Sequence, residues 1–227
     1  MTTVVVMCGG RGLRLHPLTE KVPKSLIEVG GKPMLETILD GFIAQGFKHF
    51  VFCEGYRAGL IQDYFGDGAK WGAVIEHAPE SEVLGTAGAI GNFRHPHFRY
   101  IDRPFIVTNA DVIAKLDYHD LLAFHMKQNA LATMCLAHYP MQVPYGVVTL
   151  DNGAITAVQE KPIRSFIVNA GIYVLDPAVI ELINGPCNMP DVLGSLPEGR
   201  LAGYQIRDTW IDIGTFSTLE AARAQFG

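Results

Sequence analysis

Val4-Val5-Val6-Met7-Cys8-Gly9-Gly10-Arg11-Gly12-Leu13-Arg14-Leu15 is the stretch that decides the fold class. A short, unbroken apolar run rich in β-branched residues, such as Val4 to Met7, suits a strand covered on both faces, as in a parallel sheet. The glycines directly after it let the backbone turn tightly and bring bare N–H groups up to an anion. Two familiar phosphate loops are excluded. The dinucleotide fingerprint fails because Leu15 stands where its third glycine belongs, and the G-K-[ST] of a Walker A loop is absent. From Cys8 to Ile27, Arg11, Arg14, Lys21 and Lys24 face a single acid, Glu20, in a chain whose net charge is −5. Such a cluster suits a polyphosphate, or equally a solvated basic loop; the loop alone leaves the two even.

Outward from the loop, strands and helices alternate. Pro33 sits where helices start, with Met34, Leu35, Ile38, Leu39 and Phe42 on a helical period and Gly46 as the stop. His49 to Cys53, Ala73 to Glu76 and Phe105 to Thr108 are expected as strands. Helices are expected at Ile61 to Phe65, closed by Gly66, and at Thr86 to Phe93. This order predicts a parallel sheet covered on both faces, with its strand C-termini and their loops along one edge. From about Ala132 the pattern changes to strands at Ala132 to Ala137, Tyr145 to Leu150, Ile155 to Gln159 and Asn169 to Leu175, joined by turns such as Asp151-Asn152-Gly153. Thr215 to Phe226 is a last amphipathic helix. The expected fold is α/β, a Rossmann-like three-layer sandwich with a mostly parallel central sheet and a small antiparallel excursion, in one domain over residues 1–227.

Composition narrows the function classes. With 48% hydrophobic and 18% charged residues the chain is too apolar for disorder. Its negative charge argues against nucleic acid and acidic membranes as partners. Cys8, Cys53, Cys135 and Cys187 form no C-x-x-C pair and read as reduced thiols. The N-terminus lacks a basic n-region, and no apolar stretch is long enough to span a bilayer, so a cytoplasmic protein is expected. His95-Pro96-His97 matches no zinc spacing and reads as a surface turn. Tyr64, Phe65 and Trp71 are expected to pack.

Two aspartates stand out. Asp111 lies just past a buried strand, on the edge where ligands collect, although a lone aspartate there is more often a turn or cap residue. Asp212 sits inside the apolar run Trp210-Ile211-Asp212-Ile213-Gly214-Thr215, where a carboxylate wants a cation or strong donors. Magnesium takes one or two carboxylates, then waters and phosphate oxygens. Gln159-Glu160-Lys161-Pro162 ends a strand with an acid beside a base, by itself best read as a surface ion pair.

Taken in order, these segments resemble the sugar-1-phosphate nucleotidyltransferases, the family of glucose-1-phosphate thymidylyltransferases and mannose-1-phosphate guanylyltransferases. The likeness runs along essentially the whole chain. It rests on the glycine loop, Pro23-Lys24-Ser25-Leu26, Gly30 to Leu35, Leu84-Gly85-Thr86-Ala87-Gly88-Ala89, Asn109-Ala110-Asp111, Pro144-Tyr145-Gly146, Glu160-Lys161-Pro162, Asn169-Ala170-Gly171 and Trp210 to Thr215. The resemblance implies that Gly9, Gly10, Gly12 and Arg14 hold a triphosphate and that Lys24 neutralises the α-phosphate. It implies that Gly85 and Thr86 lie against base and ribose, and that Asp111 and Asp212 bind Mg²⁺. Gly146, Glu160, Asn169 and Gly171 would line the sugar pocket in the antiparallel excursion, with Lys161 on the sugar phosphate. Arg14, Lys24 and Asp111 would be the catalytic set. Cys8 and Leu13 depart from the family loop, which usually has alanine and threonine there.

The implied reaction is attack of a sugar 1-phosphate on the α-phosphorus of an NTP, releasing pyrophosphate and giving a nucleotide sugar of the kind used for surface glycans. Leu84 to Gly88 resembles guanylyl- and uridylyltransferases more than thymidylyltransferases; GTP is the expected donor, with UTP, or a cytidylyltransferase acting on phosphocholine-like substrates, as alternatives. The alternative outside the enzymes is a nucleotide-sugar-sensing regulatory subunit. Monomer and homo-oligomer stay equally open.

Overall fold

The computed structural model describes residues 2–98 and 100–226. β1 (Thr3–Met7) is buried on both sides because alternate side chains of a strand face opposite ways. Val4 and Val6 enter one hydrophobic layer and Val5 the other, all at most 1% exposed. β2 (Glu28–Val29) and β3 (Lys32–Pro33) form a two-residue ladder that turns through Gly30 and Gly31, both at positive φ. Pro33 caps α1 (Met34–Ile43), whose apolar stripe is buried, as its spacing predicts. β4 (His49–Glu54), α2 (Ala58–Phe65, closed by Gly66), β5 (Val74–Pro79), α3 (Gly88–Gly91) and β6 (Phe105–Asn109) continue the alternation.

After β7 (Val112–Ala114) and α4 (Tyr118–Gln128) come β8 (Ala132–Gln142), β9 (Val147–Asp151), β10 (Ala154–Gln159) and β11 (Ile163–Leu175). α5 (Met189–Gly194), β12 (Leu201–Gln205), β13 (Trp210–Asp212) and α6 (Phe216–Phe226) follow. Seven strands make the central sheet in the order β12-β8-β11-β6-β1-β4-β5. β11 runs antiparallel to both of its neighbours; every other pair is parallel. β1 pairs with β4 on one side and β6 on the other, so the order of strands reverses there. Loops leaving the C-terminal ends of β1 and β6 diverge at such a point and open a crevice between them.

Several features differ from the sequence expectation. The helix expected over Thr86 to Phe93 shrinks to α3 plus a single 3-10 turn, Asn92–Arg94. Gly88 and Gly91 press against the 183–186 segment: a Cβ on Gly88 would stand 2.8 Å from the Gly185 oxygen. α4 was not anticipated, because only Tyr118, Leu121 and His125 are buried, a stripe too thin to stand out; Asp117 caps its first turn through the N–H groups of His119 and Asp120. β12 and α5 were not anticipated either. β8 and β11 run well beyond the segments expected, pairing from Ala132–Leu175 out to Gln142–Ile163 as one long arm. β9 and β10 form a hairpin that is a sheet of its own.

Candidate functional site

The crevice at the strand reversal is a cavity of about 510 Å³. Met7 to Arg11, Lys24, Ser25, Gly55, Tyr56, Glu80 to Val83, Gly85, Thr86 and Asn109 to Asp111 line it. The glycine loop forms one wall because there is no room for side chains behind it. Gly12 has φ +62, and a Cβ there would lie 2.9 Å from Lys24 Cβ and 3.0 Å from Thr19 Cγ2. The Thr19 hydroxyl donates to the Gly12 carbonyl at 3.1 Å and holds the turn closed. Gly10 has nothing within 4 Å of the place a Cβ would take, so its backbone faces open space on the cavity wall. Gly85, at φ +79, is pressed against the Cys187 carbonyl on the opposite side.

Lys24 donates to Asp111 Oδ2, a partly buried ion pair. Asp212 is brought beside Asp111 by backbone alone. β13 pairs antiparallel with β7 so that Asp212 stands opposite Val112, and the Ile213 N–H donates to the Asp111 carbonyl at 2.9 Å. Burial raises the pKa of the Asp212 carboxyl, the Asp111 charge raises it further, and Lys24 and Arg14 oppose them. Arg14 reaches this group from the loop: a Cβ on Gly214 would be 2.8 Å from its Nη2, so glycine is what admits the guanidinium. Two carboxylates and two cations from three separate segments thus share one small volume. Two hard oxygen donors side by side, one of them destabilised as an anion by burial, fit a hard divalent cation such as Mg²⁺. Among the described residues no group of three or more His, Cys, Asp or Glu side chains is placed to hold a metal.

The sugar-side residues divide. Gly171, at φ +72, packs on Asn109, its would-be Cβ only 2.7 Å from Asn109 Nδ2, and so borders the crevice. Asn169 braces that bend: its Oδ1 accepts from the Gly171 N–H at 3.0 Å and its Nδ2 donates to the Tyr173 hydroxyl at 2.7 Å. The Trp210 indole N–H donates to the Ala170 carbonyl at 2.9 Å, tying the bend to the strand of Asp212. Gly146 and Glu160 face each other on the arm, with Glu160 Oε2 3.2 Å from a Cβ built on Gly146. They and Lys161, which has φ +45, are exposed and lie outside the cavity lining.

Several lining residues have no role assigned from the sequence, although Ser25 lies in the Pro23 to Leu26 motif and Cys8 in the glycine loop. Ser25 is 4% exposed, and its hydroxyl is buried without a hydrogen-bond partner. Glu80 accepts from the Leu84 N–H at 3.3 Å, and burial raises its carboxyl pKa. Cys8 is buried; burial first, then nearby carboxylates and Cys53, hold its thiol well above the ordinary range, which fits a packing residue. Leu13 is 71% exposed, so the side chain that stands in place of the family's threonine points to solvent. Tyr64, Phe65 and Trp71 pack on one another, and His95 to His97 form an exposed turn.

The Nucleotidyl transferase family model matches residues 3–226. The mannose-1-phosphate guanyltransferase of Yarrowia lipolytica is 34% identical over 219 residues, covering 92% of this chain and 60% of that protein. The UTP–glucose-1-phosphate uridylyltransferase of a Synechocystis species is 30% identical over 233 residues, covering 92% and 59%. The chain therefore spans about 60% of the length of these curated relatives. Among solved structures, HddC from Yersinia pseudotuberculosis superposes with a TM-score of 0.79 at 25% identity, covering 100% of both chains.

Proposed function

The chain belongs to the Nucleotidyl transferase family, and on that premise we propose that it joins GTP to a sugar 1-phosphate, releasing pyrophosphate and an NDP-sugar. One observation carries the proposal: the Lys24–Asp111 pair beside Asp212 and Arg14, at the mouth of a glycine-walled crevice. A sugar 1-phosphate is already an anion at neutral pH and needs no general base. The obstacle is bringing two anions together, and positioning with charge neutralisation removes it. Lys24 lies where it can leave Asp111 for the α-phosphate, and Arg14 extends the positive field along the loop. The Gly10 N–H, with open space before it, suits phosphate oxygens, and the unpaired Ser25 hydroxyl gains a partner when a ligand fills the cavity. Asp111 and Asp212 would hold the Mg²⁺, whose charge screens the phosphates when bound. Gly171 and Asn169 would border the sugar, with Gly146, Glu160 and Lys161 reaching it from the arm.

The choice of GTP rests on Glu80. Glu80 accepts from the Leu84 N–H next to Gly85 and Thr86, the residues expected against base and ribose, and its Oε1 stands 2.7 Å from a Cβ built on Gly9. Guanine alone among the common bases offers two adjacent N–H donors on one edge, which a carboxylate accepts as a pair. Uracil offers one. The test is pyrophosphate release from four NTPs against a panel of sugar 1-phosphates. GTP is expected to lead, and Glu80→Gln is expected to lower kcat/KM for GTP roughly tenfold or more while moving UTP little. Equal losses with both donors would remove Glu80 from base selection, and no release with any pair would refute the reaction.

A further inference from the structure

Arg57 has φ +57, in the left-handed region. Glycine and asparagine sit there readily and an arginine does not, so an outlier of this kind points to a role for what surrounds it. Arg57 stands at the entry to α2, directly after Tyr56, which lines the crevice. The pair reaches across to the returning leg of the glycine-loop segment. The Tyr56 hydroxyl donates to the Glu20 carbonyl at 3.2 Å and accepts from Arg57 Nε at 3.0 Å, and Arg57 Nη2 donates to the same carbonyl. The Tyr56 N–H donates to the Gly9 carbonyl at 3.2 Å. Tyr56 is thus bonded to the loop near its start and again near its end. Thr19, next to Glu20 and 2% exposed, donates in turn to the Gly12 carbonyl. A continuous set of hydrogen bonds therefore runs from Arg57 through Tyr56 and the Thr19–Glu20 peptide to Gly12. Arg57 itself is outside the cavity lining, so it acts on the loop and not on a ligand.

We propose that Tyr56 and Arg57 are positioning residues that hold the glycine loop in the shape that receives a phosphate chain, an inference that rests on the triphosphate role proposed above for that loop. An anion site made of backbone N–H groups works only while its peptides keep their orientation. A segment with three glycines in four residues, Gly9 to Gly12, does not keep it unaided, because glycine gives the backbone its widest freedom. Two side-chain donors on the Glu20 carbonyl fix the peptide beside Thr19, and Thr19 fixes Gly12. The planar guanidinium suits this task, since its fork serves the Tyr56 hydroxyl and the Glu20 carbonyl together.

Calorimetric titration of the full chain with inorganic tripolyphosphate and Mg²⁺ tests it, because that probe has no base and needs no turnover. Arg57→Gly suits the left-handed backbone and removes the guanidinium. It is expected to melt within about 2 °C of the wild type yet bind tripolyphosphate roughly threefold to tenfold more weakly, the worth of about one hydrogen bond. Tyr56→Phe, which keeps the ring on the crevice wall, is expected to lose a similar factor. Arg57→Lys keeps the charge without the fork and is expected to bind as weakly as Arg57→Gly. Wild-type affinity in Arg57→Gly or Tyr56→Phe overturns the proposal. So does wild-type affinity in Arg57→Lys, which would make the effect one of charge near the phosphates, and so does a wild type that binds no tripolyphosphate. Pyrophosphate release tests the reaction separately: a chain that binds tripolyphosphate, loses it in these variants and turns over no NTP would refute the reaction and leave the clamp standing.

Discussion

Replacing Gly12 with alanine tests the loop at its tightest point. Its φ of +62 places an alanine in the left-handed region, which costs roughly 1 kcal/mol. The new methyl meets Lys24 Cβ at 2.9 Å and Thr19 Cγ2 at 3.0 Å, both short of van der Waals contact. Neither neighbour can retreat freely, since Thr19 is 2% exposed and Lys24 is held by Asp111. Overpacking of this kind costs about 1–3 kcal/mol, giving about 3 kcal/mol in total. In a domain of this size that lowers Tm by about 6–12 °C, read by circular dichroism on the ligand-free protein. Gly10→Ala is the matched control. Nothing lies within 4 Å of its added methyl, so Tm should move by no more than about 1–2 °C. Turnover separates the two further: Gly12→Ala displaces Lys24 and lowers kcat, whereas Gly10→Ala crowds the phosphate wall and raises KM for the NTP. A Gly12→Ala protein melting with the wild type, or a Gly10→Ala protein melting as low as Gly12→Ala, would refute the packing argument.

Lys24→Ala and Asp111→Asn should each lower kcat by ~100-fold or more with secondary structure unchanged, as expected when one cation or one metal-ligand charge is removed from phosphoryl transfer; near-normal pyrophosphate release by either variant contradicts the assignment. Asp212→Asn should abolish turnover yet stabilise the metal-free protein at pH 7. Burial, then Asp111, raise the Asp212 pKa, and a raised carboxyl pKa removes stability as pH climbs from the unfolded value through the folded one. The gain over wild type should therefore shrink as pH falls and vanish well below about pH 4, where the group is protonated in both states. Urea midpoints at the two pH values measure this, and a variant less stable than wild type at pH 7 would show that Asp212 is already compensated.

The parallel half of the fold was legible because each signal was local. Val4 to Met7 is an unbroken apolar run led by three valines, Met34 to Phe42 keeps a helical period, and Gly66, at positive φ, closes α2. Asp111 and Asp212 could be read for related reasons, one at the end of a buried strand and the other as a charge inside an apolar run. Glu80 and Ser25 could not, since nothing in Glu80-Ser81-Glu82 or Lys24-Ser25-Leu26 distinguishes a cavity-lining side chain from a loop residue. The arm misled in another way. Val148 and Leu150 alternate as a half-buried strand should, and a bulge brings Ile155 and Val158 onto the same side, but the sequence does not say that none of the described residues covers it.

The acid pair stands where the two halves of the molecule join, and backbone sets its spacing. β7 follows directly from the parallel strand β6, while β13 arrives from the far end of the chain after β12. Their ladder puts Asp212 opposite Val112, and the Ile213 N–H is bonded to the Asp111 carbonyl. Neither link uses a carboxylate. Asp→Asn at either position therefore leaves the spacing alone and changes only the charge, so loss of turnover in those variants reports electrostatics. Arg14 is held differently, by the space that Gly214 leaves open. Gly214→Ala would move the guanidinium without touching a charge. A fall in kcat there, with Asp111 and Asp212 intact, would show that Arg14 acts through where it is placed as well as through its charge.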